Sequence, residues 1–362
     1  MMFFDPNDGE FVVVPAKRDR PKMRDLLLQQ YNPFTIKRSK RKADCLIVLP
    51  DSDWWVVRAD MRKPFFEDQG ISVVYLRLPH NRVSEVEKQI QTSKPSAVII
   101  HAMSLKGDKV SEVASKFPKV KFLCINHSSQ SHMMNRPALV RSNRDCIKAA
   151  LEMSNVFYFS PDERNSLGVT LGNTEKIGWA PNPVEIPPTL CQNPKRDSMV
   201  LASREDIVKN TPQTLMAAKQ IQDATQMKTY SLMNTRSGEF DMDVWRDAYQ
   251  IEIEELPWKK HEDWLYFLSD SVSLTFQCSF TESFNYVAIE SMLCGVPVVC
   301  SPAIRYAPRD WQANPDSVED MRDVAMNILM DHQNQSERAI KIGMNYAHEM
   351  NLAYTDWVKK FV

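Results

Sequence analysis

The sequence predicts an α/β protein made of two doubly wound domains. Short, nearly continuous apolar runs alternate with segments of helix length, a Pro- and Asn-rich stretch interrupts this alternation at 177–197, and the alternation then starts again. Continuous apolar runs suit strands that are buried on both faces of a parallel sheet, and strands that alternate with helices are typical of doubly wound domains. At 362 residues the chain is long enough to form two cores.

The first domain contains five predicted strands after Asp44. They are DCLIVLP (44–50), ISVVYLRL (71–78), SAVIIH (96–101), VKFLCINH (120–127) and NVFYF (155–159). Helix-length segments such as RVSEVEKQIQTS and GDKVSEVASKF separate them. The segment 177–197, IGWAPNPVEIPPTLCQNPKRD, reads as a linker because Pro and Asn interrupt regular structure.

The second domain repeats the pattern. Its predicted strands are MVLAS (199–203), KTYSLM (228–233), YQIEIEEL (249–256), SVSLTFQ (271–277) and VPVVCS (296–301). Its predicted helices lie at 211–224, 261–269, 284–294, 316–331 and 335–349. We therefore expect an N-terminal domain at 1–183 with a basic arm at 1–43, a second domain at 184–345, and a final helix at 346–362 that packs back on the first domain.

The net charge of −1 conceals a strong asymmetry. Through Pro183 there are 28 basic and 20 acidic residues, a net charge of +8, whereas the remainder has 17 basic and 26 acidic residues, a net charge of −9. Ten of the basic residues lie between Lys17 and Lys42, including the run KRSKRK at 37–42. This arm is either a solvated surface or a surface for an anionic partner, which would be nucleic acid or acidic lipid.

The cysteines and the N-terminal residues indicate a reducing compartment. The seven cysteines are odd in number, contain no CxxC pair and fall mostly in apolar segments, so we expect buried free thiols rather than a zinc site. The first residues lack the pattern of a signal peptide, and no run is apolar for long enough to span a membrane. A cytoplasmic protein, in one interpretation peripheral at a membrane, is expected.

The strongest functional signal is a pair of carboxylates, Glu282 and Glu290, where a predicted strand passes into a predicted helix. Both can line one crevice and accept hydrogen bonds from ligand hydroxyls, and the start of the helix at Ser283, Phe284 and Asn285 offers backbone N–H groups to a phosphate. As an alternative, Glu282 caps the helix and Glu290 lies on an exposed face.

The sequence around this pair, FTESFNYVAIESMLCGVPVV (280–299), resembles the EX7E signature of family-4 retaining glycosyltransferases, which have the GT-B fold. The resemblance implies two Rossmann-like domains facing a cleft, and a nucleoside-diphosphate sugar as the donor. It assigns a sugar hydroxyl to Glu282, the ribose hydroxyls to Glu290, and the donor phosphate to the backbone of residues 283–285. Asn285 stands where this family usually has Gly.

Two cations follow the first predicted strand of the second domain. Arg204 and Lys209 precede a helix and are placed to neutralise a diphosphate. The same family has an Arg and a Lys at this spacing in a G-R-x-x-x-x-K-G segment, and here Ser203 and Asn210 replace its two glycines.

Two histidines end strands of the first domain, His101 and His127. A histidine at a strand end is commonly a structural hydrogen-bonding group. In the resembling family, however, a histidine after a middle strand reaches the donor sugar, and VKFLCINHSSQSH looks like that position, which favours His127. Asn182, in IGWAPNPVE, matches an asparagine that the family has at the domain junction.

The resemblance implies transfer without a dedicated general base, and we expect neither a metal nor a cofactor. Two D-x-D triplets occur, at 51–53 and 241–243, but no second ligand cluster accompanies them in the sequence, so we expect no metal site. The expected partners are the sugar nucleotide and an acceptor that the basic first domain would attract if it is anionic, such as DNA with hydroxylated bases or a molecule at a membrane surface. The alternatives are a catalytically silent sugar-nucleotide-binding protein, which the replaced glycines suggest, and a sugar-nucleotide epimerase of related fold.

Overall fold

The structure is a computed structural model. It describes residues 2–4, 11–13, 42–50, 62–78, 82–101, 104–128, 137–187, 196–202, 207–232, 242–257 and 259–362. The chain divides into two compact units, Met1–Arg38 and Ser39–Val362. In the first unit, strands β1 (Met2–Phe4) and β2 (Phe11–Val13) pair in an antiparallel sheet.

The larger unit contains a sheet of six parallel strands formed by its N-terminal half. In chain order these are β3 (Cys45–Pro50), β4 (Val73–Leu78), β5 (Ala97–His101), β6 (Lys121–Ile125), β7 (Val156–Ser160) and β8 (Ile177–Trp179). Their order across the sheet is β4-β3-β5-β6-β7-β8. The helices are α1 (Lys63–Glu67), α2 (Val83–Ser93), α3 (Gly107–Lys116), α4 (Pro137–Glu152) and α5 (Ser166–Thr170).

Burial explains why these runs are strands. Every residue of β3 and of β5 is buried, as expected for central strands of a parallel sheet with both faces covered. The five strands predicted in this half are confirmed. Strand β8 contradicts the prediction of a linker throughout 177–197, since Ile177–Trp179 pairs with β7. A three-residue strand with a central glycine carries too little apolar pattern to be recognised.

The C-terminal half forms a second parallel sheet of five strands. These are β9 (Ser198–Leu201), β10 (Lys228–Ser231), β11 (Ile253–Glu255), β12 (Val272–Gln277) and β13 (Val298–Cys300), in the order β11-β10-β9-β12-β13. The helices are α6 (Thr211–Thr225), α7 (Met242–Tyr249), α8 (His261–Ser271), α9 (Tyr286–Leu293), α10 (Val318–Met330) and α11 (His332–Phe361). Two β-α halves are thus present, as the sequence predicts.

Two elements predicted in this half have clearly different bounds in the structure. The strand predicted at 249–256 begins only at Ile253, because residues up to Tyr249 form α7 and Gln250 has a left-handed backbone with φ of 50°. The helix predicted at 335–349 is longer at both ends: α11 runs for 30 residues, from His332 to Phe361. The sequence segment that was assigned to a separate final helix is therefore the last part of α11.

Helix α11 contacts the cores of both sheets. Its residues Ala347 and Met350 belong to one buried cluster with Ile289 and Leu293 of α9. Further along, Tyr354, Trp357 and Val358 belong to the buried cluster of the first sheet, with residues of β3 and β5. A single helix therefore packs against the helix that carries Glu290 and against the first domain.

The close contact between α9 and α11 depends on Gly343. A Cβ atom at this position would lie 3.0 Å from the backbone nitrogen of Leu293 and 3.1 Å from the backbone carbon of Met292. Glycine thus permits the two helices to approach at the point where α9 presents its buried face.

Six cysteines lie in the described residues, and all are free and buried, as the sequence predicts. Burial raises the pKa of the Cys294 thiol to about 12 and that of Cys278 well above its ordinary value, so both remain protonated at neutral pH. None of the helices in the described residues is long and apolar enough to cross a membrane.

Candidate functional site

The candidate site lies at the carboxyl end of the second sheet, where the strand order reverses. The chain passes from β9 to β10 and β11 on one side and returns to β12 and β13 on the other, so β9 and β12 are neighbours at the switch point. Ligands of open parallel sheets bind in the crevice at such a point. Lys209 follows β9 and Glu282 follows β12, and the topology thereby brings the two together.

Lys209 and Glu282 form a buried ion pair. Their side chains are 10% and 5% exposed, and the Lys209 Nζ donates to Glu282 Oε1. The same oxygen accepts hydrogen bonds from Ser279 Oγ at 2.8 Å and Asn285 Nδ2 at 3.0 Å. Among the described residues all three donors reach Oε1, which leaves Oε2 for a ligand hydroxyl.

Asn285 organises the loop that carries Glu282. Its backbone has a φ of −104° and its Oδ1 accepts the backbone N–H of Ala288 at 2.9 Å, so it is the N-cap of α9. Its Nδ2 also donates to Gln277 Oε1 at 2.7 Å. Asparagine therefore replaces the family's usual glycine without any need for a left-handed backbone, and it adds side-chain bonds that glycine cannot make. The helix starts at Tyr286, two residues later than predicted.

The loop that carries Lys209 is fixed to the same region. Asn210 takes a left-handed backbone with φ of 55°, a conformation that asparagine tolerates better than most residues other than glycine. Its Nδ2 donates to the carbonyl of Cys278 at 3.3 Å, and the Phe280 N–H donates to the carbonyl of Val208 at 2.8 Å. Ser203 and Arg204 lie outside the described residues, so the predicted role of Arg204 stays a prediction.

Glu290 lies in the second turn of α9 and is only 4% exposed. Its Oε1 is 3.1 Å from His261 Nε2, and its Oε2 accepts a hydrogen bond of 3.1 Å from Trp264 Nε1. His261 Nδ1 is in turn 3.6 Å from Glu185 Oε2, in the segment that joins the two sheets. The alternative that Glu290 lies on an exposed face is therefore wrong.

Sequence reasoning missed His261 and Trp264. They are three residues apart at the start of α8, so they lie on one face of that helix. Their spacing within a predicted helix was visible in the sequence, but nothing in it indicated that this face meets Glu290.

His127 and His101 lie together at the ends of β6 and β5. His101 Nδ1 is 2.8 Å from His127 Nε2, and the rings are stacked with centroids 5.0 Å apart. His101 is fully buried, and burial, the charge of Arg62 and the neighbouring His127 together hold its pKa well below the ordinary value. His101 is therefore neutral at physiological pH, and one of the paired nitrogens donates to the other.

Arg62 is a further residue that sequence reasoning missed. It is 3% exposed, and its Nη2 donates to Asn182 Oδ1 at 3.4 Å. Arg62 does not directly follow a predicted strand. Nothing in the sequence around it therefore indicates that it lies near Asn182. The predicted Asn182 thus lies next to a buried cation rather than alone at the domain junction.

A cavity of about 440 Å³ opens between the ends of the two sheets. Ser128, Ser160 and Asn182 line it from the first half of the chain, and residues 282–285 and Tyr306 line it from the second half. Ser128 directly follows His127. The predicted carbohydrate-binding Glu282 and the predicted phosphate-binding residues Ser283, Phe284 and Asn285 therefore face one space.

Of the aspartates in the two D-x-D triplets, only Asp243 lies in the described part of the chain. Asp243 lies on the exposed side of α7 and pairs with Arg246, whereas residues 51–53 and Asp241 lie outside the described residues. In the residues that the structure describes, no group of three His, Cys, Asp or Glu side chains could hold a metal ion.

No family model matches the chain, and no curated protein is similar to it in sequence. Among solved structures it resembles a sucrose-phosphate synthase from Thermosynechococcus elongatus, with a TM-score of 0.68 and 11% identity over 87% of this chain and 98% of that one. It also resembles a glycosyltransferase from Rickettsia africae, with a TM-score of 0.65 and 13% identity over 88% and 98%. An α,α-trehalose-phosphate synthase (UDP-forming) from Burkholderia vietnamiensis gives a TM-score of 0.62 and 10% identity over 88% and 97%.

These likenesses establish the architecture. The chain has the GT-B fold, with two Rossmann-like halves of parallel sheet, and the predicted fold class is confirmed.

Proposed function

We propose that the protein is a retaining glycosyltransferase that moves a sugar from a nucleoside-diphosphate sugar to an acceptor hydroxyl. The observation that carries this proposal is the buried Lys209–Glu282 pair at the switch point of the second sheet, next to the start of α9. A cation that can bind a phosphate and a carboxylate that can bind a hydroxyl lie side by side in this pair, and this arrangement supports binding of the junction between a diphosphate and a sugar.

Lys209 acts on the leaving group in this proposal. When the bond between the anomeric carbon and the diphosphate oxygen breaks, its electron pair stays on that oxygen, and negative charge builds on the diphosphate. Lys209, together with Arg204, stabilises that charge, and the backbone N–H groups at the start of α9 add to it. The acceptor oxygen bonds to the anomeric carbon on the same face, and the acceptor proton passes to the leaving phosphate oxygen. No metal enters this scheme.

Glu282 orients the donor sugar. Its Oε1 is held by Lys209, Ser279 and Asn285, so the carboxylate is fixed before a ligand arrives. The remaining oxygen accepts from a sugar hydroxyl. A positioned acceptor of this kind limits the sugar to few orientations and lowers the entropic part of the barrier.

Glu290 holds the ribose hydroxyls in the proposal. Each of its oxygens has a partner on α8, and a carboxylate oxygen can accept more than one hydrogen bond. His261 and Trp264 hold the Glu290 carboxylate in one orientation.

His127 approaches the donor sugar from the other half of the chain. Its Nε2 lies 2.8 Å from Nδ1 of the neutral His101, and this contact holds the orientation of the His127 ring. The proposal therefore has one sugar-contacting residue from each sheet, and closure of the two halves would exclude water.

The replaced glycines lend little weight to a catalytically silent binding protein. Asn210 adopts a left-handed backbone, which glycine favours and asparagine tolerates, and Asn285 caps α9. A sugar-nucleotide epimerase would use the same donor contacts without an acceptor. Its product, rather than the residues of its site, therefore distinguishes it from a glycosyltransferase.

The proposal describes the acceptor only by its charge. The excess of basic residues through Pro183 would attract an acceptor with an anionic body, such as DNA with hydroxylated bases or a molecule at an anionic membrane surface. The field acts at long range and guides encounter, whereas the residues of the cavity select the reacting group.

The test is release of nucleoside diphosphate from a panel of sugar nucleotides, measured with Glu282→Gln and Glu290→Gln variants. Glu282→Gln removes the charge but keeps the shape, and we expect it to lower turnover about 10- to 100-fold, as for the loss of a charged hydrogen bond. Glu290→Gln should weaken binding of the free nucleoside diphosphate by about tenfold while leaving the fold intact.

Glu337→Gln is the matched control, because Glu337 is exposed on α11. It makes the same change of charge and should behave as the unmodified protein. No release and no nucleotide binding across the panel would refute the proposed function. A product with altered sugar stereochemistry and no acceptor would identify an epimerase instead.

A further inference from the structure

His261 connects Glu290 to the segment that joins the two sheets. Its imidazole ring lies between two carboxylates: Nε2 is 3.1 Å from Glu290 Oε1, and Nδ1 is 3.6 Å from Glu185 Oε2. The side chain of Glu290 is 6% exposed, that of His261 19% and that of Glu185 52%. The three groups therefore form a chain that runs from a buried carboxylate to the surface.

The backbone next to Glu185 is held against α9 and α11. Asn351 of α11 makes two hydrogen bonds with Val184: its Oδ1 accepts from the Val184 N–H at 2.8 Å, and its Nδ2 donates to the Val184 carbonyl at 2.9 Å. The Tyr286 hydroxyl of α9 donates to the Pro183 carbonyl at 3.2 Å. The position of the Glu185 carboxylate therefore depends on where this segment lies against the two helices.

The same segment is attached to the first half of the chain three residues before Glu185. Asn182 Oδ1 accepts the hydrogen bond from Arg62, a buried residue just before α1. Residues 182–185 thus have bonds to both halves within one short stretch. A movement of one half against the other, such as the closure proposed above, changes the backbone of a stretch of this kind, and it would therefore move Glu185 relative to His261.

The contact with Glu185 determines which edge of the His261 ring faces Glu290. A half-turn of an imidazole about its last side-chain bond replaces each nitrogen by a carbon, so a ring held at Nδ1 by one carboxylate presents Nε2 to the other. A ring with a proton on each nitrogen can donate to both carboxylates at once. Groups that hold a ligand-binding side chain from behind commonly set its orientation in this way.

We propose that His261 is a positioning residue that couples Glu290 to the segment between the sheets. Glu185 holds the ring with Nε2 toward Glu290, and nucleotide binding at Glu290 is transmitted through the same contacts to the backbone at 183–186. This inference rests on the proposed function, because Glu290 is the group proposed to bind the ribose. Coupling of this kind is reciprocal, so the position of the segment and the affinity for nucleotide affect each other to the same degree.

The first measurement is the affinity of the full chain for UDP, GDP, ADP and CDP by calorimetry. Glu185 is half exposed and does not line the cavity, so Glu185→Gln should leave the fold intact. We expect this variant to bind the preferred nucleotide about 2- to 5-fold more weakly, as for the loss of a partly exposed ion pair. Glu262→Gln is the matched control, because Glu262 is an exposed carboxylate one residue from His261, and its affinity should be unchanged.

Two replacements of His261 separate its two contacts. His261→Gln keeps an N–H donor for Glu290 but loses the link to Glu185, and should weaken nucleotide binding only about 2- to 5-fold. His261→Phe removes both nitrogens and should weaken binding about tenfold or more. Glu185→Gln combined with His261→Gln should lose no more affinity than either change alone, whereas additive losses would overturn the inference.

Hydrogen exchange of the backbone amides of Glu185 and Ile186 provides a readout that a purely structural contact would not change. Saturating nucleotide should slow this exchange about 3-fold or more in the unmodified protein and in Glu262→Gln. The slowing should be absent in Glu185→Gln and in His261→Gln, at the same saturation with nucleotide. Equal slowing in all four proteins, or none in the unmodified protein, would overturn the proposed coupling.

Failure of this inference and failure of the proposed function give different results. If none of the four nucleotides binds to the unmodified protein, the proposed function fails and the inference fails with it. If a nucleotide binds but Glu185→Gln behaves as Glu262→Gln does, the inference alone is wrong and the proposed function stands.

Discussion

At the residue scale, Lys209 and Glu282 behave as one unit rather than as two separate binding groups. Both side chains are largely buried, and a buried charge without its partner is strongly destabilising, by about 3–5 kcal/mol. Truncation of either residue would therefore confuse loss of stability with loss of function. Glu282→Gln keeps the hydrogen-bonding shape but still leaves the buried Lys209 charge without its counter-charge, so its unfolding free energy is measured together with its turnover.

His101 provides a residue-scale prediction about pH. Its pKa in the folded protein is far below the ordinary value of about 6.5, so below that pH the unfolded chain takes up a proton that the folded protein does not. The contribution of His101 to stability is therefore complete above pH 6.5 and is lost as the pH falls. We expect His101→Gln to reduce this loss by up to about 1.4 kcal/mol per pH unit, measured by urea unfolding at pH 7, 6 and 5.

The control for this prediction is His348→Gln, at an exposed position of α11. Its unfolding free energy should follow the same pH dependence as the unmodified protein. If His101→Gln also leaves the slope unchanged between pH 7 and 5, then His101 is not the group that couples folding to pH.

At the element scale, the start of α9 explains how a loop with a charged residue is held rigid. Asn285 joins the end of β12, the Glu282 carboxylate and the first turn of the helix through three side-chain hydrogen bonds. The helix is mostly buried, so its position is set by packing against α11 and β12 rather than by its own helix propensity. The Asn285 cap therefore holds the loop that carries Glu282 against α9, whose own position is set by packing.

Asn285→Ala should lower the free energy of unfolding by about 1–2 kcal/mol, because the N-cap bond and the bonds to Gln277 and Glu282 are lost together. It should also lower turnover, because the Glu282 carboxylate loses one of its three holding groups. Chemical denaturation and nucleoside diphosphate release measure the two effects.

Ser317→Ala is the matched control for a cap. Ser317 accepts the Asp320 N–H at 3.1 Å at the start of α10 and does not line the cavity. It should cost about 1 kcal/mol of stability with turnover unchanged. A loss of turnover in both variants would mean that stability alone, not the position of Glu282, limits the reaction.

At the scale of the larger unit, Ser39–Val362, α11 couples the two sheets. Its middle packs on α9, beside Glu290, and its last turns pack into the core of the first sheet. Tyr346 on the same helix donates to Glu163, which follows β7. One helix thus positions α9, with Glu290, with respect to the residues that line the cavity from the first sheet.

The basic segment at 37–42 gives a prediction for the whole chain. Apart from Lys42 these residues lie outside the described part of the structure, so the prediction rests on charge alone. Replacing the five basic residues of KRSKRK by glutamine should weaken binding to double-stranded DNA or to vesicles with acidic lipid, and should flatten the dependence of affinity on salt. Binding is measured by fluorescence anisotropy or co-sedimentation at 50 and 200 mM salt.

The matched control replaces five exposed basic residues of the second half by glutamine, because that half carries the acidic excess. It should leave the affinity unchanged. Undetectable binding of the unmodified protein at 50 mM salt would mean that the basic arm is only a solvated surface.

The sequence by itself determined the strands, the division into two α/β halves and the motif around Glu282 and Glu290. These features follow from local pattern: buried parallel strands need continuous apolar runs, and Glu282 and Glu290 are close in the chain. The same local basis explains the errors. Strand β8 is too short to leave a pattern, and the boundary near Gln250 depends on one left-handed residue.

Only the tertiary structure decided which residues meet. The Lys209–Glu282 pair joins positions 73 residues apart, and the Arg62–Asn182 bond joins positions 120 apart. His261 and Trp264 became partners of Glu290, and Ser160 became part of a cavity, only when separate elements were packed together. The order of strands in a sheet and the docking of helices depend on the burial of whole faces, which no local run of residues specifies.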